Sequence, residues 1–198
     1  MKIKVAINGF GRIGRTFFRK AYGRDDMEIV AINDLGNLEN LAYLLRHDTT
    51  YGASAFDVAV KDGALIVAGK NVHFTSEKDA TKLPWKELGI DVVVESTGVF
   101  TSYEKAKVHL DAGAKRVVIS APVKDEPSPV IGATVLMGVN EEELSHAEIT
   151  SNASCTTNAA SPLIAILHKA LGIEKALLNT THAYTASQAL QDGPSKKD

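Results

Sequence analysis

Residues 3–14 read IKVAINGFGRIG, and this stretch narrows the folds open to the chain more than any other. IKVAI (3–7) is a nearly unbroken run of β-branched and apolar residues, as expected for a strand buried on both faces of a parallel sheet. It leads at once into Gly9, Gly11 and Gly14 at G-x-G-x-x-G spacing, and then into RIGRTFFRKAY (12–22). That segment carries Ile13, Phe17, Phe18 and Ala21 along one side at helical spacing. A strand, a tight glycine turn and a helix therefore follow one another with no room for a long loop.

The alternation continues. EIVAIN (28–33) predicts a second strand, and 37–46 a helix that brings Leu41, Leu44 and Leu45 together. Within 57–76, VAV, ALIVAG and NVHFTS around a Lys61-Asp62-Gly63 turn predict short antiparallel strands. DVVVEST (91–97), a helix over 101–112 ending at Gly113, and RVVIS (116–120) restore the strand–helix–strand rhythm. APVKDEPSPVIGA contains three prolines and reads as an exposed connection, after which TVLMGVN (134–140) predicts one more strand. Right-handed crossovers then imply an α/β fold, a Rossmann-type doubly wound parallel sheet. We assign it to residues 1–151, and 152–198 to the beginning of an α+β catalytic domain.

Composition excludes several classes of function. A net charge of -2 gives no basic field for nucleic acid or an anionic membrane surface. A single cysteine cannot form an intrachain disulfide, which favours a reducing, cytoplasmic setting. The six histidines are scattered without metal-ligand spacing, and no apolar run reaches the roughly 18 residues of a membrane span.

The glycine motif has a chemical reading. Gly9 permits the tight turn, Gly11 lets the backbone approach a pyrophosphate, and Gly14 allows close helix–strand packing. The helix start presents free N–H groups to the phosphates, and Arg12 sits in its first turn. Such turns also arise for structural reasons alone, and strand-end aspartates are ordinarily just solvated. Here Asp34 ends the second strand 20 residues after Gly14, where its carboxylate can accept from ribose hydroxyls and repel a 2′-phosphate, favouring NAD over NADP. Ser96-Thr97-Gly98 and Ser120 close two further strands at the edge where open α/β sheets bind ligands; ordinary turn chemistry explains them equally well one by one.

SNASCTTN (151–158) sets the lone thiol, Cys155, among hydroxyl residues. Ser154 is placed to cap a helix over 155–171, with Leu163, Ile164, Leu167, Ala170 and Leu171 as its apolar stripe, Gly172 as its stop and Pro162 expected to loosen one turn. Free N–H groups in the first turn favour a thiolate and can hold an oxyanion, and the hydroxyls of Ser154 and Thr156 can hold a phosphate oxygen. His182, in TTHAYT after the strand-like ALLNTT, lies 27 residues beyond the cysteine and is the available base. A structural histidine and an inert core thiol are the competing readings.

Taken together, INGFGRIGR, INDL, ESTGVF, SNASCTTN and THAYTASQ…DGPS resemble phosphorylating, glycolytic glyceraldehyde-3-phosphate dehydrogenase along the whole chain. The resemblance implies that Cys155 attacks the aldehyde of glyceraldehyde 3-phosphate and that His182 serves as base. It further implies oxidation by NAD to a thioester, cleaved by inorganic phosphate to 1,3-bisphosphoglycerate. Ser154, Thr156 and Thr185 would hold phosphate. Gly9, Phe10, Gly11, Arg12, Ile13, Gly14, Asn33, Asp34, Lys78, Ser96, Thr97, Gly98 and Ser120 would form the cofactor set, with no metal. Lys78 stands where the family often has arginine, and Ala159 where a second cysteine is common. Family chains are longer, so the resemblance implies an N-terminal portion with exposed apolar surface, cytoplasmic and a homotetramer at full length. An erythrose-4-phosphate dehydrogenase shares these motifs and is the alternative, as is a catalytically incomplete NAD-binding fragment.

Overall fold

A computed structural model of the chain describes residues 1–126, 132–185, 188 and 190–193. The glycine motif lies where the sequence puts it, between β1 (Ile3–Asn8) and α1 (Arg12–Ala21), followed by β2 (Met27–Asn33) and α2 (Leu38–Arg46). A small antiparallel pair, β3 (His47–Asp48) and β4 (Gly52–Ala53), leads to β5 (Val58–Lys61), β6 (Ala64–Val67) and β7 (Lys70–Thr75). After α3 (Trp85–Leu88) come β8 (Val92–Glu95), α4 (Tyr103–Ala106), α5 (Val108–Asp111) and β9 (Arg116–Ile119). The described chain ends its regular structure with β10 (Ala133–Thr134), β11 (Ile149–Ser151) and the long α6 (Cys155–Leu171).

Among the described residues nine strands form one sheet in the order β10-β11-β9-β8-β1-β2-β7-β6-β5. From β10 to β7 all neighbours run parallel, and β7-β6-β5 form an antiparallel meander. The β5–β6 hairpin turns on Asp62 (φ 51°) and Gly63 (φ 75°), the two successive positive-φ residues that a tight hairpin needs. The chain moves from β1 to β2 and β7 on one side, then returns to β8 on the other. That reversal beside β1 creates a crevice at the carboxyl ends of the strands.

From Val5 onward β1 is buried on both faces, whereas Ile3 and Lys4 are exposed. Val5 and Ile7 join a cluster with Phe10, Phe18, Leu41 and Leu45, beneath α1 and α2. Ala6, between them, joins Trp85, Ile90 and Val93 on the opposite face. Tyr103, Val117 and Ile149 make a third cluster under α4.

Three local expectations need correction. The helix over 101–112 is divided at Lys107 into α4 and α5, although Lys107 keeps right-handed helical angles. Of TVLMGVN only Thr134 lies in a strand, at the end of the short β10. The Asn140 side chain donates to the Thr134 carbonyl at 2.9 Å and accepts from Leu136 N–H at 2.8 Å, using groups that a longer ladder would need. ALLNTT is not a strand: it pairs with no strand among the described residues, and Leu177 and Leu178 are exposed. Residues 127–131 of the proline-rich connection, with 186, 187, 189 and 194–198, lie outside the described residues.

Helix α6 spans 155–171 as predicted, and its helical assignment continues through Pro162. None of its residues is buried, and Leu163, Ile164, Leu167 and Leu171 are exposed.

The glycine motif yields a stability prediction. A Cβ on Gly14 would lie 2.1 Å from the Gly9 carbonyl oxygen, whereas one on Gly11 meets nothing within 4 Å. Gly14→Ala is expected to cost about 1–3 kcal/mol in urea unfolding, while Gly11→Ala stays within about 1 kcal/mol of the parent. Equal effects would contradict the packing role assigned to Gly14.

Candidate active site

The crevice holds a cavity of about 450 Å³ bounded by Gly9, Gly11, Asn33, Asp34, Lys78, Ser96 and Thr97, seven of the residues the sequence singles out. Leu35, Val99 and Phe100 add apolar walls, with Asn8, Glu77 and Ala80 completing them. None of these six is in the predicted cofactor set, although Asn8, Leu35, Val99 and Phe100 lie within INGFGRIGR, INDL and ESTGVF.

Local chemistry explains the shape. Gly9 has φ +92°, a conformation that side chains disfavour, and Asp34 accepts from the N–H of Phe10 at 2.6 Å and of Gly36 at 2.7 Å. The aspartate thus braces the turn it faces. The space in front of Gly11, at the start of α1, is open to an anionic group. Backbone donors, an acidic strand end and flat apolar walls fit a dinucleotide such as NAD.

The remaining members of the predicted cofactor set sit around this cavity. Phe10 is buried beneath the turn, and Gly14 packs on Gly9. Gly98 follows Thr97 with φ +72°, and the Ser120 hydroxyl donates to that of Ser96 at 3.3 Å. Ile13 is exposed. Arg12 points elsewhere: its guanidinium pairs with Asp48 at 3.3 Å and closely with Asp192. Arg15 donates to the Asp192 carbonyl at 2.6 Å, so the segment beyond His182 is tied to α1.

The thiol occupies a second cavity of about 420 Å³, lined among others by Cys155, Thr156, Leu163, Thr181 and His182. The two cavities share no lining residue. Cys155 Sγ lies 3.1 Å from His182 Nε2. His182 Nδ1 lies 2.6 Å from the Ala183 carbonyl oxygen, which can only accept. The imidazole proton therefore sits on Nδ1, and in the neutral ring Nε2 is an acceptor aimed at the thiol. This is the geometry of a base beside its nucleophile.

Electrostatics agree. The hydrogen bond with His182 holds the Cys155 thiol below its ordinary range, aided by Thr156 N–H and the imidazole charge, with desolvation opposing. His182 is held above its usual value by its bond to the Ala183 carbonyl, then by the facing sulfur.

Ser154 caps α6, accepting from Thr157 N–H at 3.0 Å, with the Thr157 hydroxyl 2.7 Å away. Asn158, which sequence reasoning passed over, donates to the carbonyls of Asn152 at 2.6 Å and Ser154 at 2.9 Å. Between them Ala153 has φ 55°, a left-handed non-glycine residue two positions before the thiol. Its only sequence signal was membership of SNASCTTN. Thr185 N–H donates to Gln188 Oε1 at 2.7 Å, and neither Thr185 nor Ser154 lines the thiol cavity.

Alkylation of Cys155 by iodoacetamide, followed against pH, checks the pair. Because the thiolate is the reacting species and its pKa is lowered, the rate is expected to rise through a midpoint below that of a free cysteine. His182→Asn should move the midpoint upward; an unmoved midpoint would sink the coupling.

Comparison with known proteins locates these features. Residues 3–103 match the family described as "Glyceraldehyde 3-phosphate dehydrogenase, NAD binding domain", and 154–198 match its "C-terminal domain". The chain is 48% identical over its whole length to glyceraldehyde-3-phosphate dehydrogenase B of Aspergillus oryzae. It is 50% identical to the cytosolic enzyme of Trypanosoma brucei brucei and 49% to glyceraldehyde-3-phosphate dehydrogenase A of Escherichia coli. It spans 58% of the length of each of these relatives. With a glycine cradle on the first of these family domains and a cysteine–histidine pair on the second, the chain belongs to the glyceraldehyde-3-phosphate dehydrogenase family.

Proposed function

We propose that the chain serves the NAD-dependent oxidative phosphorylation of D-glyceraldehyde 3-phosphate to 1,3-bisphosphoglycerate. The observation that carries this reading is the 3.1 Å contact between Cys155 Sγ and an imidazole nitrogen whose partner nitrogen is already protonated. A catalytic-type base and nucleophile so arranged suit acyl chemistry at a carbonyl.

His182 Nε2 takes the thiol proton, and the Cys155 thiolate adds to the aldehyde carbon to give a thiohemiacetal. The first-turn N–H groups of α6 lie beside the sulfur, where an oxyanion would develop. His182 returns a proton to that oxygen, then removes it as the carbon is oxidised. Bound NAD supplies the acceptor for the departing hydride. Inorganic phosphate attacks the resulting thioester carbonyl, the C–S bond breaks, and Cys155 is restored as thiolate. Ser154, Thr156 and Thr185 are the hydroxyls proposed to hold the phosphate groups. Gly9, Gly11 and the α1 start would hold the NAD pyrophosphate, and Asp34 the ribose hydroxyls.

The names of the relatives support a triose phosphate over the tetrose phosphate of the alternative reading. The cytosolic name of the trypanosome relative supports a cytoplasmic location, and a homotetramer is proposed from the family resemblance.

NADH formation from glyceraldehyde 3-phosphate, NAD and phosphate tests the proposal. The assay uses the chain alone and joined to the remainder of a relative's catalytic domain. Turnover is expected chiefly in the joined form. There Cys155→Ser should abolish it and His182→Asn slow it by about 10²–10⁴-fold. Turnover that survives Cys155→Ser would refute the proposed nucleophile.

A further inference from the structure

Beneath the Ser96-Thr97 corner lie polar side chains that the chemistry above does not use. Glu95 and His109 are only 2% and 0% exposed. Trp85 Nε1–H, which can only donate, lies 3.2 Å from His109 Nδ1, so the ring proton sits on Nε2. That Nε2–H donates to Glu95 Oε2 at 3.0 Å, and Asn8 Nδ2–H donates to the same oxygen at 2.6 Å. Glu95 Oε1 accepts from the Thr97 backbone N–H at 2.7 Å and from the Thr97 hydroxyl. A buried carboxylate is costly, and an apolar side chain of similar volume commonly serves stability as well or better. The polarity therefore calls for a reason other than packing.

Two of the partners of Glu95 supply one, because they line the cleft. Thr97 and Asn8 both border the dinucleotide cavity. A Cβ on Gly9 would lie 2.6 Å from Thr97 N and 2.7 Å from the Ser96 carbonyl carbon, so the glycine turn rests directly on the backbone that Glu95 holds. Asn8 Oδ1 in turn accepts from Asn33 Nδ2 at 2.8 Å, extending the network to the end of β2. One carboxylate thus registers the ends of β1, β2 and β8 against each other, and His109 aims it.

We propose that the buried Glu95–His109 pair is a positioning device for the dinucleotide cleft, setting the spacing between the Gly9 turn and the Ser96–Thr97 corner. This rests on the reading of the cleft as an NAD site. Glu95→Gln replaces an acceptor with a donor that faces Asn8 and His109, or else Thr97. His109→Ala removes the donor that orients Glu95. His109→Gln keeps one group to accept from Trp85 and one to donate to Glu95.

Calorimetric titration of the chain with NAD, paired with thermal melts and amide exchange at Thr97, tests the device. Glu95→Gln and His109→Ala are expected to weaken NAD binding roughly tenfold and to speed Thr97 exchange, with β8 still protected. His109→Gln should recover affinity to within about threefold of the parent. Unchanged affinity and Thr97 exchange in both disruptive variants, with only lower melting temperatures, would overturn the proposal. If either variant fails to fold, Trp85→Phe decides: about a threefold loss of affinity supports the device, and none overturns it. A parent that does not bind NAD overturns the cleft reading and the proposal with it, while Thr97 exchange still shows whether the pair orders the corner.

Discussion

The close approach of α1 to the end of β1 governs the nucleotide half of this protein. With no side chain on Gly14, the helix starts against the Gly9 carbonyl, and nothing projects from Gly11 into the space in front. Asp34 locks the arrangement by accepting from Phe10 N–H, while Phe10 itself is buried among the core side chains under α1. Cradle and core are therefore one construction. The contact that seats the helix also opens the space before its N-terminus.

A parallel sheet ends in a row of strand tips, and here those tips are polar. Asn8, Asn33 and Glu95 terminate β1, β2 and β8, and all three are buried and joined by hydrogen bonds. The apolar strand interiors supply the bulk of the burial, whereas these groups fix register, because each has directional partners that a one-residue slip would lose. Asn33 extends the arrangement by accepting from the Thr75 hydroxyl at 2.9 Å and Glu77 N–H at 2.8 Å, which also shapes the cleft wall at Glu77 and Lys78.

The thiol half is organised differently. Its helix is capped and regular, but its apolar stripe is exposed, and His182 reaches the thiol from a segment that is neither helix nor strand. Local hydrogen bonds do the placing: Asn158 holds the turn before Cys155, and the Ala183 carbonyl fixes the imidazole tautomer. Beyond it, Asp192 anchors the segment to Arg12 and Thr49, linking the histidine-bearing stretch to the glycine-loop helix.

Much was legible in the sequence because it depends on local pattern. Apolar runs and the glycine spacing determined β1, β2, β5 to β9, α1 and the glycine turn, whereas β11 had no strand reading in the sequence. The serine before the cysteine and the glycine after the leucine stripe determined both ends of α6. Side-chain hydrogen bonding between distant or looping residues was not legible. TVLMGVN has strand composition, yet Asn140 takes the backbone partners its ladder would need; ALLNTT has strand composition, yet among the described residues no strand pairs with it. Arg12 belongs to the motif, but carboxylates at Asp48 and Asp192 claim it. His109 and Trp85 carry no motif signal, and Glu95 lies in ESTGVF with no role read for it, since their meaning arises only when α3, α5 and β8 converge. The sequence by itself determined which backbone can form and that the thiol stands at a helix start. Only the tertiary structure decided which imidazole nitrogen faces that thiol and what joins the strand tips at the cleft, because hydrogen bonds are directional and most of their partners come from far apart in the chain.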